Sequence, residues 1–169
     1  MNEPQPDTNG MDRARVIGWL ELKVPPLLVW LAFAGAMLGV ARLVPTLTFR
    51  VAGAFACALT LAVLGVAVAL AGLVAFRRAR TTVNPMAPGA AGTMVSHGVY
   101  RFTRNPMYLG FLVALAGWAA HLSNAAAALL LPAFVFYMTQ FQIKPEERAL
   151  AAKFGLQFTQ YMSRVRRWV

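Results

Sequence analysis

Residues Asn105 to Ile143 read NPMYLGFLVALAGWAAHLSNAAAALLLPAFVFYMTQFQI, thirty-nine positions without one Asp, Glu, Lys or Arg. As a single helix this run would be about 58 Å long at 1.5 Å per residue. The hydrocarbon core of a bilayer is only about 30 Å thick, so the run must cross it twice. Its one polar interruption, His121, Ser123 and Asn124, marks the reversal. Upstream, Val24–Ala41 and Val51–Phe76 are also free of charge. The reading is therefore an all-α integral membrane protein with four transmembrane helices, at about 24–44, 51–75, 106–121 and 124–143. Helices are the expected form because a lipid-exposed backbone must satisfy its own hydrogen bonds. Composition agrees. The chain is 59% hydrophobic and 13% charged over 169 residues, against about a quarter charged in soluble domains.

Basic residues set the orientation. Arg13, Arg15 and Lys23 precede the first span, and Arg77, Arg78, Arg80, Arg101 and Arg104 fill the central loop. Lys144, Arg148, Lys153, Arg164, Arg166 and Arg167 follow the last span. Of the 16 basic residues only Arg42 and Arg50 fall on the other side. The positive-inside rule then makes both termini and the central loop cytoplasmic, as in a bacterial inner membrane. The net charge of +10 reads as attraction to anionic lipid headgroups. No nucleic-acid partner is expected, because the basic residues hug span ends and form no separate module.

Residues 1–23 form a polar, proline-bearing segment without the basic start or cleavage site of a signal peptide. Residues 24–169 read as one membrane domain. Cys57 is the single cysteine, which rules out a disulfide within the chain, and no metal-ligand cluster or nucleotide-binding loop is present. GAMLG at 35–39 matches the small-residue pattern for close helix packing. TTVNP at 81–85 reads as an extended linker, since the residue before a proline avoids helix.

Glu146 and Glu147 are the only acids beyond the first span. They open a tail whose apolar residues Leu150, Phe154, Phe158, Tyr161, Val165 and Trp168 recur three or four apart. That is the period of an amphipathic helix, with a break expected at Gly155 and Pro145 at the first helical position. Glutamates in a first turn complement the helix dipole. Neither, however, has a Lys or Arg three or four residues downstream, so both are candidates for a role at the membrane face. The closing RVRRWV reads as a headgroup anchor.

The start of the third span also allows two readings. Asn105 suits an N-cap and Pro106 a first helical position, while Arg101, Arg104, Tyr100 and Tyr108 suit an interface. The same arginines beside exposed helix N–H groups suit an anion, and tyrosine faces attract a cation.

The segment GVYRFTRNPMYLG, Gly98–Gly110, resembles the G-x-Y-x-x-x-R-H-P-x-Y-x-G motif of the isoprenylcysteine carboxyl methyltransferase and phospholipid methyltransferase superfamily. The tail EERALAAKFGLQFTQYMSRVRRW resembles its second block, E-E-x-x-L-x-x-x-F-G-x-x-Y-x-x-Y-x-x-x-V. The resemblance runs from Thr81 to the C-terminus. It implies a membrane methyltransferase that uses S-adenosylmethionine without a soluble nucleotide-binding domain. The cofactor site it implies comprises Met94, Val95, Tyr100, Asn105, Pro106, Met107, Tyr108 and Glu146. Arg104, Asn105 and Glu147 are the implied catalytic positions. Asn105 stands where the superfamily has histidine, and Phe158 where it has the first tyrosine of the tail. Gln142 occupies the position of the superfamily's substrate-binding arginine.

Transfer of a methyl group asks the protein mainly to align the reactants and exclude water. A hydrophobic or lipid-associated acceptor would enter through a groove between spans. Phospholipid amines and small thiols are alternative acceptors. The sequence offers no dedicated base, and His97, the one histidine of the loop, reads as a solvated loop residue. A non-enzymatic four-helix transporter is the rival class, and it would need an ionisable group inside a span; the spans hold none.

Overall fold

A computed structural model describes residues 21–50, 52–79 and 92–169. The polar residues 1–20 and the TTVNP stretch lie outside the described residues. The described residues are all-helical, without strands, and give α1 (Pro26–Leu43), α2 (Ala54–Arg78), α3 (Pro106–Leu122), α4 (Ala125–Ala128) and α5 (Leu130–Met138). A π-helical segment, Thr139–Ile143, leads into α6 (Lys144–Phe154) and α7 (Leu156–Arg164). Short 3₁₀ turns at Pro45–Leu47 and Gly98–Arg101 occupy two of the connections. Among the described residues three helices are long and apolar enough to cross a membrane: Pro26–Leu43, Ala54–Arg78 and the continuous Ala125–Phe154. The expected third span, α3, is shorter at 17 residues, or about 26 Å.

Prolines open α1 and α3 in their first turn, where the missing N–H costs nothing. The reversal falls at the polar trio. Ser123 adopts φ 48 to end α3. The Asn124 Oδ1 accepts from the Ala127 N–H, while its Nδ2 donates to the Val44 carbonyl and to the Thr48 hydroxyl. One buried asparagine thus satisfies backbone groups from both loops at this end of the bundle.

The pair α2 and α3 is antiparallel and unusually close. A Cβ on Gly65 would lie 2.5 Å from the Gly110 carbonyl and 2.7 Å from the Ala114 nitrogen. One on Gly117 would lie 2.8 Å from the Ala58 carbonyl, and one on Gly72 3.0 Å from Pro106. Ala58, Gly65 and Gly72 recur every seven residues, as do Gly110 and Gly117. Small residues at this spacing keep one face of each helix open to the other, so the backbones meet. The expectation for GAMLG is overturned. Gly35 and Gly39 have nothing within 4 Å of a built Cβ, because α1 meets α3 through large side chains instead. Trp30 Nε1 donates to the Phe111 carbonyl and Trp118 Nε1 to the Ala34 carbonyl, each at 3.0 Å. An indole N–H in an apolar setting needs such a partner. Val29, Met37, Tyr108, Leu115, Phe134 and Met138 fill the space between α1, α3 and α5.

The tail corrects a second expectation. Pro145 lies in the first turn of α6, as expected, but that helix continues the last span without a break, so the span runs on to Phe154. A proline inside a helix cannot donate to the carbonyl four residues back, and its ring pushes that carbonyl aside. Here that carbonyl is Phe141, within the π segment, and it accepts from the Leu22 N–H at 3.1 Å. Leu22 takes a left-handed φ of 56 to do so. Gln142 donates to the Val24 carbonyl at 2.7 Å, and Arg148 pairs with Glu21. The segment before α1 therefore fills the gap that Pro145 opens. The break at Gly155 is observed, with φ 53 between α6 and α7.

Candidate active site

The motif residues sit where the start of α3, the start of α6 and the C-terminal segment meet. Tyr108 is in the first turn of α3 and is 4% exposed. Its hydroxyl donates to Glu146 Oε1 in a short hydrogen bond across 38 residues of sequence. An O–H to a carboxylate is among the stronger hydrogen bonds a protein makes. It joins the two motif blocks at one point.

Glu147 faces a different set of partners. Arg104 reaches its Oε1 at 3.1 Å. Arg167 grips it with both arms, Nε to Oε1 at 3.0 Å and a terminal nitrogen to Oε2 at 2.6 Å. The Glu147 side chain is 13% exposed, so these pairs are largely withdrawn from water. Paired arginine forks of this kind hold a carboxylate in a set orientation. The expected catalytic positions Arg104 and Glu147 are thus bonded to one another.

Asn105 precedes α3 but does not cap it through its side chain. Its Nδ2 donates to the Arg167 carbonyl at 2.9 Å, and its backbone N–H to the Thr103 hydroxyl. The Arg104 N–H donates to the Arg166 carbonyl at 3.0 Å. The expectation that RVRRWV is only a headgroup anchor is corrected here. Arg164 and Arg166 are exposed, but Arg167 enters the site, and Trp168 donates to the Thr139 hydroxyl and packs on the core.

Val95 and Tyr100 are buried together against Ala75 at the end of α2, with the Phe76 ring edge-on to Tyr100. Pro106 and Met107 pack on Gly72. These four hold the loop and the helix start in place. Tyr161, on α7, donates from its hydroxyl to the Tyr100 carbonyl at 2.7 Å. Burial pushes the Tyr161 hydroxyl up to about 12 and Tyr100 higher still, so both remain protonated donors. Gln142 is fully buried, and its Oε1 has no hydrogen-bond partner. Among the described residues no group of three metal-ligating side chains is gathered.

Met94 lies on a cleft of about 490 Å³ between the loop and α7. Ser96, Arg101, Gln157, Gln160, Tyr161 and Arg164 share its walls. Arg101 was one of the arginines expected to suit an anion, whereas sequence reasoning missed the other five as site components, along with Arg167. A second, almost wholly apolar groove of about 540 Å³ opens between α1, α2 and α3. Trp30 and Phe111 line it, the latter one turn beyond Tyr108 on α3.

The sequence pattern of the phospholipid methyltransferase family matches residues 53–157, from α2 into α7. The chain belongs to that family. It is 41% identical over 63 residues to an uncharacterised protein of Haemophilus influenzae, covering 37% of this chain and all of that protein. It is 36% identical over 72 residues to protein-S-isoprenylcysteine O-methyltransferase A of Arabidopsis thaliana and 35% identical to its B counterpart. Each alignment takes in 43% of this chain and 36% of the plant protein, so the chain spans about a third of those relatives. No solved structure matches this chain.

Proposed function

We propose that this chain is an integral membrane methyltransferase that transfers a methyl group from S-adenosylmethionine to a hydrophobic or lipid-associated acceptor at the cytoplasmic face. In this reading the chain crosses a bacterial inner membrane four times with both termini cytoplasmic, so the motif residues lie on that face. The observation that carries the reading is the Tyr108–Glu146 hydrogen bond. It gathers two motif blocks, one of them at a helix start, into a part-buried carboxylate beside an aromatic ring. A cation is attracted by both groups.

Among the described residues, Met94 is the one expected cofactor position on the walls of the cleft between the loop and α7, and the other groups there suit the rest of the cofactor in this reading. The cleft of about 490 Å³ is within the range of small-molecule sites. Arg101 and Arg164 suit a carboxylate, Ser96, Gln157 and Gln160 suit sugar hydroxyls and a base edge, and Tyr161 offers a ring. Arg104 Nε is buried without a hydrogen-bond partner, a donor with capacity to spare beside the same loop. When bound, S-adenosylmethionine supplies a methyl carbon made electrophilic by its sulfonium. Glu146 would hold that positive charge, Tyr108 would orient Glu146, and Asn105 would border the methyl. The buried neighbours Val95, Tyr100 and Pro106 exclude water. The groove past Phe111 suits the acceptor's apolar chain.

Purified protein in vesicles, incubated with methyl-labelled S-adenosylmethionine, tests the reading against lipid extract and isoprenylcysteine analogues. Label transfer to an acceptor, lost in Glu146→Ala together with cofactor binding by calorimetry, is the expected result; unchanged binding by that variant would sink it. A phospholipid amine is the second reading for the acceptor, because Gln142 stands where the superfamily has its substrate-binding arginine and carries no charge to neutralise a substrate carboxylate.

A further inference from the structure

Two adjacent glutamates open α6, yet their surroundings differ. Glu146 takes the Tyr108 hydroxyl, whereas Glu147 takes two arginines. The second of these, Arg167, lies 20 residues beyond Glu147 and 62 beyond Asn105, and it touches both. Its guanidinium holds Glu147 by two parallel bonds, and its carbonyl accepts from the Asn105 amide and the Thr103 hydroxyl. Its own place is secured on either side. The Arg166 carbonyl accepts from the Arg104 N–H, and Trp168 is bonded to Thr139 in the π segment.

We propose that Arg167 is a positioning residue of the site, acting on the cofactor-holding carboxylate through Glu147. Together with Arg104 it neutralises Glu147 and keeps that carboxylate turned away, so Glu146 is the one that meets a cationic ligand. Two like charges on neighbouring side chains otherwise resist being ionised together. The carbonyl of Arg167 meanwhile fixes the Asn105 amide at the head of α3. The inference rests on the reading of Glu146 as the cofactor-holding group.

The groups facing the glutamate pair are Tyr108 from α3, Tyr100 and Arg104 from the preceding loop and Arg167 from the tail, and Tyr161 from α7 faces Tyr100 and Arg104 in turn. Varying Arg167 and Glu147 alone leaves the rest in place. Arg167→Ala removes the guanidinium but keeps the backbone carbonyl, so it isolates the contact with Glu147. Calorimetric binding of S-adenosylmethionine is measured from pH 6 to 9 for wild type, Arg167→Ala, Arg167→Lys, Glu147→Gln and the Arg167→Ala/Glu147→Gln double variant.

In Arg167→Ala, binding at pH 7 should weaken about tenfold, the scale of losing a group that orients a ligand-holding side chain. The midpoint of its pH dependence should move up by about one unit. Lysine should restore most of the loss. In the double variant the midpoint should return to the wild-type position, because the charge Arg167 offsets is gone. A wild-type profile in Arg167→Ala, or a shift that persists in the double variant, overturns the positioning role while leaving Glu146 in place. If the wild type binds no S-adenosylmethionine at any pH, the assignment of Glu146 fails first and the role of Arg167 with it.

Discussion

Gly110→Ala probes the seam that fixes α3, and with it Tyr108, against α2. A Cβ at Gly110 would fall against the Gly65 carbonyl and 2.8 Å from both the Cβ and the nitrogen of Ala69. Two of these are backbone atoms of α2, so no change of side-chain rotamer relieves the contact. Ordinary carbon contacts begin at about 3.5 Å, so α3 must retreat by roughly 0.7 Å. A gap of that size forfeits about a quarter to a half of each dispersion contact beside it. Overpacking of this kind costs about 1–3 kcal/mol. Alanine also brings a helix-propensity gain of up to about 1 kcal/mol. Gly35→Ala on α1 supplies the matched control, since nothing lies within 4 Å of its Cβ. The propensity gain is common to both variants, so their difference reports the seam alone. Each kcal/mol moves Tm by about 2–4 °C in a chain of this size, so Gly110→Ala should melt about 2–12 °C below Gly35→Ala. Thermal unfolding in one detergent, followed by far-ultraviolet circular dichroism, measures it. Equal melting temperatures would refute the close packing of α2 on α3.

Tyr108→Phe keeps the ring in the core but removes the hydroxyl from Glu146. It should lower stability by about 1.5–3 kcal/mol, read from denaturant titrations, and weaken binding of S-adenosylmethionine; intact binding would detach Tyr108 from the site. Asn105→His retains an N–H to offer the Arg167 carbonyl, so label transfer should survive, whereas Asn105→Leu should abolish it. Equal activity in the two would show that the contact is idle. Arg104→Ala should reduce methyl transfer more than membrane insertion, as measured by labelled turnover against yield in the membrane fraction. Arg148→Ala breaks an exposed pair with Glu21 and should change stability by less than about 1 kcal/mol in the same titrations.

Much of the architecture is legible in charge placement alone. A helix end in a membrane is announced by the charge that cannot enter it, so α1 and α2 begin and end within three residues of the expected limits. The reversal at Ser123 and Asn124 is equally plain, because polar groups in a long apolar run need partners that only a loop supplies. The last span is the exception. Its end was placed at Ile143, but Pro145 is accommodated by the π segment and the Leu22 N–H. That accommodation comes from a segment more than a hundred residues earlier, and no local pattern reports it.

For the site, the pairing of the Tyr108 block with the Glu146 block was expected from the motifs, and their contact is direct. The partners of Glu147 were not expected. Arg167 sits in a run of arginines that reads as a headgroup anchor, and nothing in the run distinguishes the one that turns inward. Likewise GAMLG carried the familiar small-residue spacing and faces open space, while the glycines in contact recur every seven residues across two helices.

The sequence by itself determined which segments are apolar enough to leave water, where along the chain the charge falls, and which family its motifs resemble. Those are properties of single residues and their neighbours along the chain, governed by transfer into lipid and helix periodicity. Only the tertiary structure decided which glycines touch, which glutamate is bound by arginine, and where the C-terminal residues rest. These depend on the rotation of one helix against another and on partners up to 127 positions apart. A side chain's type states what it can bind; the packing of the helices decides what it meets.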